Sequence, residues 1–339
     1  MDIQERLKLI SRNSEEIINK EELLELLKKK KQPVVYLGWS ITGRPHIGYY
    51  FPVIKLADFL KAGCKVKLLL ADIHGALDKT PWDVLGKRYQ YYYKTIPMMF
   101  TSIGIETKNF EIVKGSDFQL SKEYIFDLLK LSSFVSANDA KRAGSEVVKY
   151  GDNPKLGGLL YPLMQALDEE YLGVDIQYGG IDQRKILMFA RENMPKLGYK
   201  RRIEIMTSII PGLTGKKMSA SIPESKVDLL DDEETVVNKL KSAYCEPGKI
   251  EENGILAFLK YVIMVLKEDK KEEFIIERPE KFGGNIKFKS YSEIEELFLK
   301  NKIHPLDLKN ATAKELNKLL STFRTQKVQL EKLAGTGYK

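Results

Sequence analysis

The strongest constraint on this chain is an alternation of buried-type strands with helical stretches. PVVYLGW (33–39) is β-branched and apolar throughout, and it runs into the glycine-bounded turn Gly43-Arg44-Pro45-His46-Ile47-Gly48. From about Ile47 a helical pattern continues to Ala62. KVKLLLAD (65–72) is a second such strand, a helix follows through roughly 81–103, and NFEIVKG (109–115) is a third strand. VDIQYGG (174–180) is another, followed by a helix from about Ile181. This order predicts an α/β fold, a parallel sheet with helices on both faces.

Flanking segments read as mainly helical. Residues 1–30 are expected to be helical, with a helix opening at Asn13-Ser14-Glu15-Glu16 and an apolar side of Leu23, Leu24, Leu26 and Leu27. Residues 120–172 read as mainly helical. After GLTGKKMSASIPESKVDLL the character changes, and EETVVNKLKSAY, ILAFLKYVIMVLK and ATAKELNKLL are all helical patterns. The expected boundary lies near 225–235, giving an N-terminal helical segment (1–30), an α/β domain (31–230) and a helical domain (231–339). The tail GTGYK (335–339) is expected to be disordered.

Composition narrows the partners and the compartment. Lys and Arg exceed Asp and Glu by 55 to 47, a net charge of +8, which favours a polyanionic partner without identifying it. The two cysteines, Cys64 and Cys245, are far apart and make no metal spacing, as suits a reducing compartment. The charged start MDIQERLKLISRN has no apolar signal region, and no run reaches eighteen consecutive apolar residues. The expectation is a cytoplasmic protein off the membrane.

Three constellations carry chemistry. The turn 43–48 lies between a strand and a helix, where backbone N–H groups and a positive helix end face an anion. His46 could reach that anion, and Gly48 lets a flat base or a phosphate come close. The second constellation is Gly215-Lys216-Lys217-Met218-Ser219-Ala220-Ser221, a cationic, hydroxyl-bearing loop suited to closing over phosphates. In isolation, a structural histidine is the more natural reading of the first, and a solvated charged loop is as natural as a functional one for the second. The third is Tyr161, Gln165 and Asp168, at i, i+4 and i+7 on one helical face beside the apolar stripe Leu160, Met164, Leu167 and Tyr171. A polar stripe beside a core stripe fits a lined pocket; an amphipathic helix with a wet face is the alternative.

H-I-G-x after the first strand, with K-M-S-x-S about 170 residues later, resembles the two signatures of class I aminoacyl-tRNA synthetases. Two positions depart from the common pattern, Tyr49 in place of a histidine and Ala220 in place of a lysine. YPLMQALDEEYLGVDIQYGGIDQRK (161–185), VYLGWSITGRPH, LLLADIHG, GSDFQLSKEY, GLTGKKMS, AYCEPG, RPEKFGGN and HPLDLKN resemble the eukaryotic and archaeal tyrosyl-tRNA synthetase family, from about residue 5 to 325. The eukaryotic cytosolic form without an added C-terminal domain is the nearest likeness.

The resemblance implies a Rossmann-like catalytic domain with a helical insertion at about 120–160 and a mainly α-helical anticodon-binding domain. It implies that Tyr36 and Asp168 hydrogen-bond a tyrosine phenol, that Tyr161, Gln165 and Gln183 hold its α-amino group, and that Gly38 leaves room for it. Gly180 and Asp182 are then at the ATP ribose, and His46, Gly48, Lys217, Met218 and Ser219 serve adenine and phosphates. ATP enters as a substrate with Mg²⁺, with no tightly bound protein-ligated metal. The implied partners are tRNA, met by Phe282 and Asp307 at the anticodon and by Lys141, Arg142, Arg184 and Lys185 at the acceptor stem, and a second copy of the chain docked through 120–160. His74 is expected to line the pocket, and His304 to be structural. Rival readings are a tryptophan–tRNA ligase, a small adenylyltransferase and a non-catalytic RNA-binding paralogue.

Overall fold

The computed structural model describes residues 1–216, 218 and 222–338. Six strands form the central sheet: β1 (Glu16–Ile17), β2 (Val34–Ser40), β3 (Lys65–Ala71), β4 (Phe110–Lys114), β5 (Ile176–Gly180) and β6 (Ile203–Thr207). Their order is β1-β6-β5-β2-β3-β4, parallel except for β1 at the edge. A separate antiparallel ribbon joins β7 (Phe274–Ile276) to β8 (Ile286–Phe288).

The strands are apolar because both faces of the sheet are covered. On β2, Val35 and Leu37 face one side and join a cluster with Phe59 of the Tyr50–Lys61 helix and Phe100 of the Leu85–Ile103 helix. Tyr36 faces the other side, where Leu69, Leu172 and Val174 surround it. That second face lies under the Leu156–Tyr171 helix, which packs with the Lys122–Ser132, Ala137–Ala143 and Arg184–Asn193 helices. Beyond Asp232, which caps the Glu233–Ser242 helix, the chain is helical apart from the ribbon. The larger cluster is continuous from Val35 to Leu330 and Ala334, so apolar packing joins the α/β and helical parts.

Three expectations are corrected. Asn13–Glu16 does not open a helix. The first helix, Ile3–Ser11, ends before Asn13, whose φ is 55°, and Glu15 N–H and Ile18 N–H donate to Met206 and Glu204 carbonyls. Pairing with β6 overrides the local capping signal, and the helix restarts at Lys20. The β6 strand itself was not expected. The tail is not disordered over its described length: a helix spans Lys327–Gly337, Arg88 Nε donates to the Gly337 carbonyl at 3.0 Å, and the Arg88 guanidinium lies over the Tyr338 ring.

Candidate active site

The carboxyl ends of β2 and β5 open into a cavity of about 460 Å³, where ligands sit in open parallel sheets. Tyr36, Gly38, His46, Gly48, Tyr161, Gln165, Asp168, Gly180, Asp182, Gln183 and Met218 all line it. Lys217 and Ser219 lie outside the described residues. His46 caps the short turn Ile47–Tyr49, and its Nδ1 accepts the Gly48 N–H at 3.1 Å. The ring proton is therefore on Nε2, a donor. Burial, together with the positive charge of Lys226, pushes the His46 pKa down to about 3, so the ring is neutral at pH 7. A Cβ on Gly48 would stand 2.8 Å from His46 Cε1 and 2.9 Å from Met218 Sδ, so only glycine fits between them.

The two signatures are joined through the backbone. Ile47 N–H donates to the Val227 carbonyl at 3.1 Å, and Arg44 pairs with Asp228 at 2.8 Å. Leu213 N–H donates to the Ser225 carbonyl at 2.9 Å, closing the base of the lysine loop. Tyr49, which departs from the common histidine of the first signature, turns its hydroxyl to Tyr92 at 2.9 Å and sets its ring edge-on to His46. It packs behind His46 rather than offering a second imidazole.

At the other end lies the Asp168 carboxyl, which is 1% exposed. Its Oδ1 accepts from Gln119 Nε2 at 2.8 Å and from the Tyr124 hydroxyl at 2.9 Å. Among the described residues its Oδ2 accepts no hydrogen bond, and His74 Nε2 stands 3.8 Å away. Burial raises the Asp168 pKa to about 7 and lowers that of His74 to about 4. Neutral His74 therefore lines the wall without making an ion pair. Tyr36 Oη receives Gln177 Nε2 at 2.7 Å and makes a long contact of 3.3 Å to the Gln165 carbonyl. A Cβ on Gly38 would meet only ordinary contacts, the nearest at 3.6 Å, so the space beside it is open.

Between these ends, Gln165 Nε2 donates to Gln183 Oε1 at 2.9 Å. A Cβ on Gly180 would come within 2.5 Å of Asp182 Oδ1, so the glycine makes room for that carboxylate where β5 ends. Asp78 adds an acid to the wall, its pKa raised by burial. Sequence reasoning missed Gln119, Tyr124, Gln177 and Asp78 as site residues. Gln119 and Tyr124 are 49 and 44 residues from Asp168, and no spacing signal links them.

The basic candidates occupy the rim and surface. Lys185 pairs with Glu146, which lines the cavity, at 2.7 Å. Arg142 pairs with Asp139 at 2.7 Å, and Lys141 is exposed on the same helix. Arg184 is bonded to Glu16, tying β1 to the start of the Arg184–Asn193 helix. Phe282 is 63% exposed, and Asp307 sits in the first turn of the Pro305–Arg324 helix. His304 caps that helix, its Nδ1 accepting the Leu306 N–H at 3.2 Å, a structural role.

Residues 28–321 match the family described as class I tRNA synthetases (W and Y). The cytoplasmic tyrosine–tRNA ligase of Gallus gallus is 49% identical over 339 residues, covering 99% of this chain and 63% of the relative. This chain thus spans under two thirds of that relative's length. The cytoplasmic tyrosine–tRNA ligase of Saccharomyces cerevisiae is 48% identical, covering 96% of this chain and 85% of the relative. The solved tyrosyl-tRNA synthetase of Archaeoglobus fulgidus, complexed with L-tyrosine, superposes with a TM-score of 0.88 at 40% identity, covering 96% of this chain and 99% of that one.

Proposed function

The chain belongs to the tyrosyl-tRNA synthetase family of class I tRNA synthetases, and from that premise we propose that it is a tyrosine–tRNA ligase. It activates L-tyrosine with ATP to tyrosyl-adenylate and pyrophosphate, then transfers tyrosine to the 3′-terminal adenosine of its tRNA. The observation that carries this reading is the buried Asp168 beside Tyr36, two polar groups at the blind end of a cavity that begins at His46. Phenylalanine would leave Asp168 Oδ2 unpaired and the Tyr36 proton on its long contact to the Gln165 carbonyl, and a buried unpaired polar group is costly. Tyrosyl-tRNA synthetases are themselves the standard case of such discrimination, a factor of about 10⁵ against phenylalanine.

The first step requires no protein base. The tyrosine carboxylate is already ionised at neutral pH and attacks the α-phosphorus in line. The pyrophosphate oxygen departs as the new acyl–phosphate bond forms. Catalysis then consists of positioning and of stabilising the charge on phosphate. His46 donates from Nε2 to that charge. Lys217 and Ser219 belong to the same task through the loop anchored at Leu213–Ser225, and Met218 packs on Gly48. Mg²⁺ enters with the nucleotide as the ATP complex. Gln165, Gln183, Tyr161 and Asp78 face the ammonium, and Gly180 with Asp182 face the ribose. In the second step a terminal ribose hydroxyl attacks the tyrosyl carbonyl and AMP leaves.

For tRNA, exposed Phe282 stacks on an anticodon base that Asp307 hydrogen-bonds, and Lys141, Arg142 and Lys185 meet acceptor-stem phosphates near the rim. Residues 31–230 form the catalytic domain and 231–339 the anticodon-binding one. The protein works in the cytoplasm as a homodimer whose contact is the 120–160 segment. There Leu120, Phe126 and Leu129 are more than 60% exposed on neighbouring turns.

ATP–pyrophosphate exchange with tyrosine, phenylalanine and tryptophan, followed by charging of eukaryotic and bacterial tRNA, tests the proposal. Tyrosine alone should support exchange. Exchange with tryptophan instead, or with none of the three, would sink it.

A further inference from the structure

Behind the cavity, three polar side chains stand in a row on one face of the sheet. Strand register sets Tyr36 beside Gln177, and Gln177 beside Glu204. Side-by-side residues of parallel strands point to the same face. All three are at most 1% exposed. Among the described residues, the side-chain hydrogen bond that Gln177 makes is to Tyr36.

We propose that Gln177 is a specificity-determining residue that acts through Tyr36, donating to its hydroxyl from behind and so obliging that hydroxyl to donate forward to the ligand. The inference rests on the tyrosine reading of the pocket. A phenol has one proton. With the Gln177 amide bonded to Oη at 2.7 Å, the Tyr36 proton must point elsewhere. Its present acceptor is the Gln165 carbonyl at 3.3 Å, a long and weak contact that a ligand oxygen in the cavity can replace.

The far side of the row offers the amide no competing acceptor bond. Among the described residues, Gln177 Oε1 and Glu204 Oε1 are both buried without a partner, while Glu204 Oε2 holds Arg191 at 2.9 Å. The amide N–H₂ is the end of Gln177 that meets Tyr36. The chain of donors then has one direction, Gln177 to Tyr36 to ligand to Asp168 Oδ2. The ligand atom in the middle must accept from Tyr36 and donate to Asp168. A hydroxyl does both. Phenylalanine does neither, and an aromatic amine donates well but accepts poorly.

The test compares pyrophosphate exchange by the full chain and its Gln177→Met variant on tyrosine, 4-amino-L-phenylalanine and phenylalanine. Methionine keeps the length and has no N–H donor. The ratio of kcat/KM for tyrosine over the amine should fall about tenfold, through KM, because Tyr36 becomes free to accept from the amine. In a Tyr36→Phe background Gln177→Met should leave that ratio within about twofold, as expected of two residues acting as a unit. Should the methionine variant not fold, Gln177→Thr suits a strand, is too short to reach Tyr36, and should give the same fall. Equal losses on all three amino acids, or effects that add to those of Tyr36→Phe, would mean a merely structural residue and overturn the inference. A wild-type chain that activates tyrosine while the ratio stays fixed in the variant removes this inference alone; one that activates no amino acid removes the tyrosine reading as well.

Discussion

At the scale of a residue, Asp168 couples pocket chemistry to pH. Its folded pKa is raised to about 7 by burial, against an ordinary value of 3.8. A carboxyl raised in this way favours the folded state fully below its unfolded pKa, and that contribution is lost as pH rises through 7. Tyrosine acts in the opposite direction, since a phenol O–H donated to Oδ2 favours the carboxylate. Binding therefore expels a proton between about pH 4 and 7. His46 and His74, with pKa values of about 3 and 4, stay neutral over most of that window and do not mask the effect. Calorimetric titration should show tyrosine affinity weakening by up to about tenfold per pH unit below 7, and Asp168→Asn should remove the slope. A flat profile in the wild type would mean that the carboxylate is not the phenol's acceptor. Gly48 gives a second residue-scale test. Alanine there would put a methyl carbon 2.8 Å from His46 Cε1, and the ring must swing to relieve it. The activation rate should drop about 100-fold, the usual cost of losing one aligned donor to developing charge, with little change in melting temperature. An unaltered rate would show that His46 Nε2 is not aimed at the phosphates.

At the scale of elements, the arms around the sheet depend on partly buried ion pairs. Arg12, just past the first helix, bonds Asp58 of the Tyr50–Lys61 helix through Nε at 3.0 Å and reaches Asp269 near the end of the Met264–Lys270 helix at 2.6 Å. One guanidinium thus ties the N-terminal arm to both the α/β and the helical parts. Asp58 is 1% exposed, and in Arg12→Ala only Lys55 and Lys61 remain as nearby cations among the described residues. Stability to urea should fall by about 3 kcal/mol, the range for one partner stranded by its loss. A loss below about 0.5 kcal/mol would reduce the pair to a surface contact. These elements also show what the sequence could reveal. β2 to β5 were legible because each is mostly apolar and alternates with helical stretches. β6 was not, because Glu204 interrupts its pattern with a buried acid whose partner, Arg191, lies on another element. β1 exists only through pairing with β6, so no local signal could announce it. In the site, the helical face of Tyr161, Gln165 and Asp168 was readable from spacing, and all three line the cavity together. Gln119 and Tyr124, which hold Asp168, were not readable, because their partnership is made by the packing of separate helices. The tail was misjudged for the same reason: glycine and threonine give no helical signal of their own, and the order comes from docking on Arg88.

At the scale of the molecule, the proposed dimer follows from an apolar surface that a monomer would leave wet. Phe126 and Leu129 are 66% and 64% exposed on the Lys122–Ser132 helix, with Leu120 at 62% and Phe134 at 47% nearby in the chain. The inner side of that helix is already committed, since Tyr124 reaches Asp168 and Leu128 and Leu131 fill the second core. A partner covering the outer side would therefore rest directly behind the residue that orients Asp168. This gives a prediction with two separable parts. Phe126→Glu with Leu129→Glu should convert the dimer to monomers in sedimentation velocity, since charges desolvated at an interface core oppose association. The inner contacts are untouched, so tyrosine binding should weaken only if dimerisation also steadies Tyr124. Charging of tRNA should fall further than pyrophosphate exchange if one tRNA meets the rim of one subunit and the helical domain of the other. Equal falls in both reactions would place the whole tRNA on a single subunit, and an unchanged sedimentation coefficient would show that this face is not the contact.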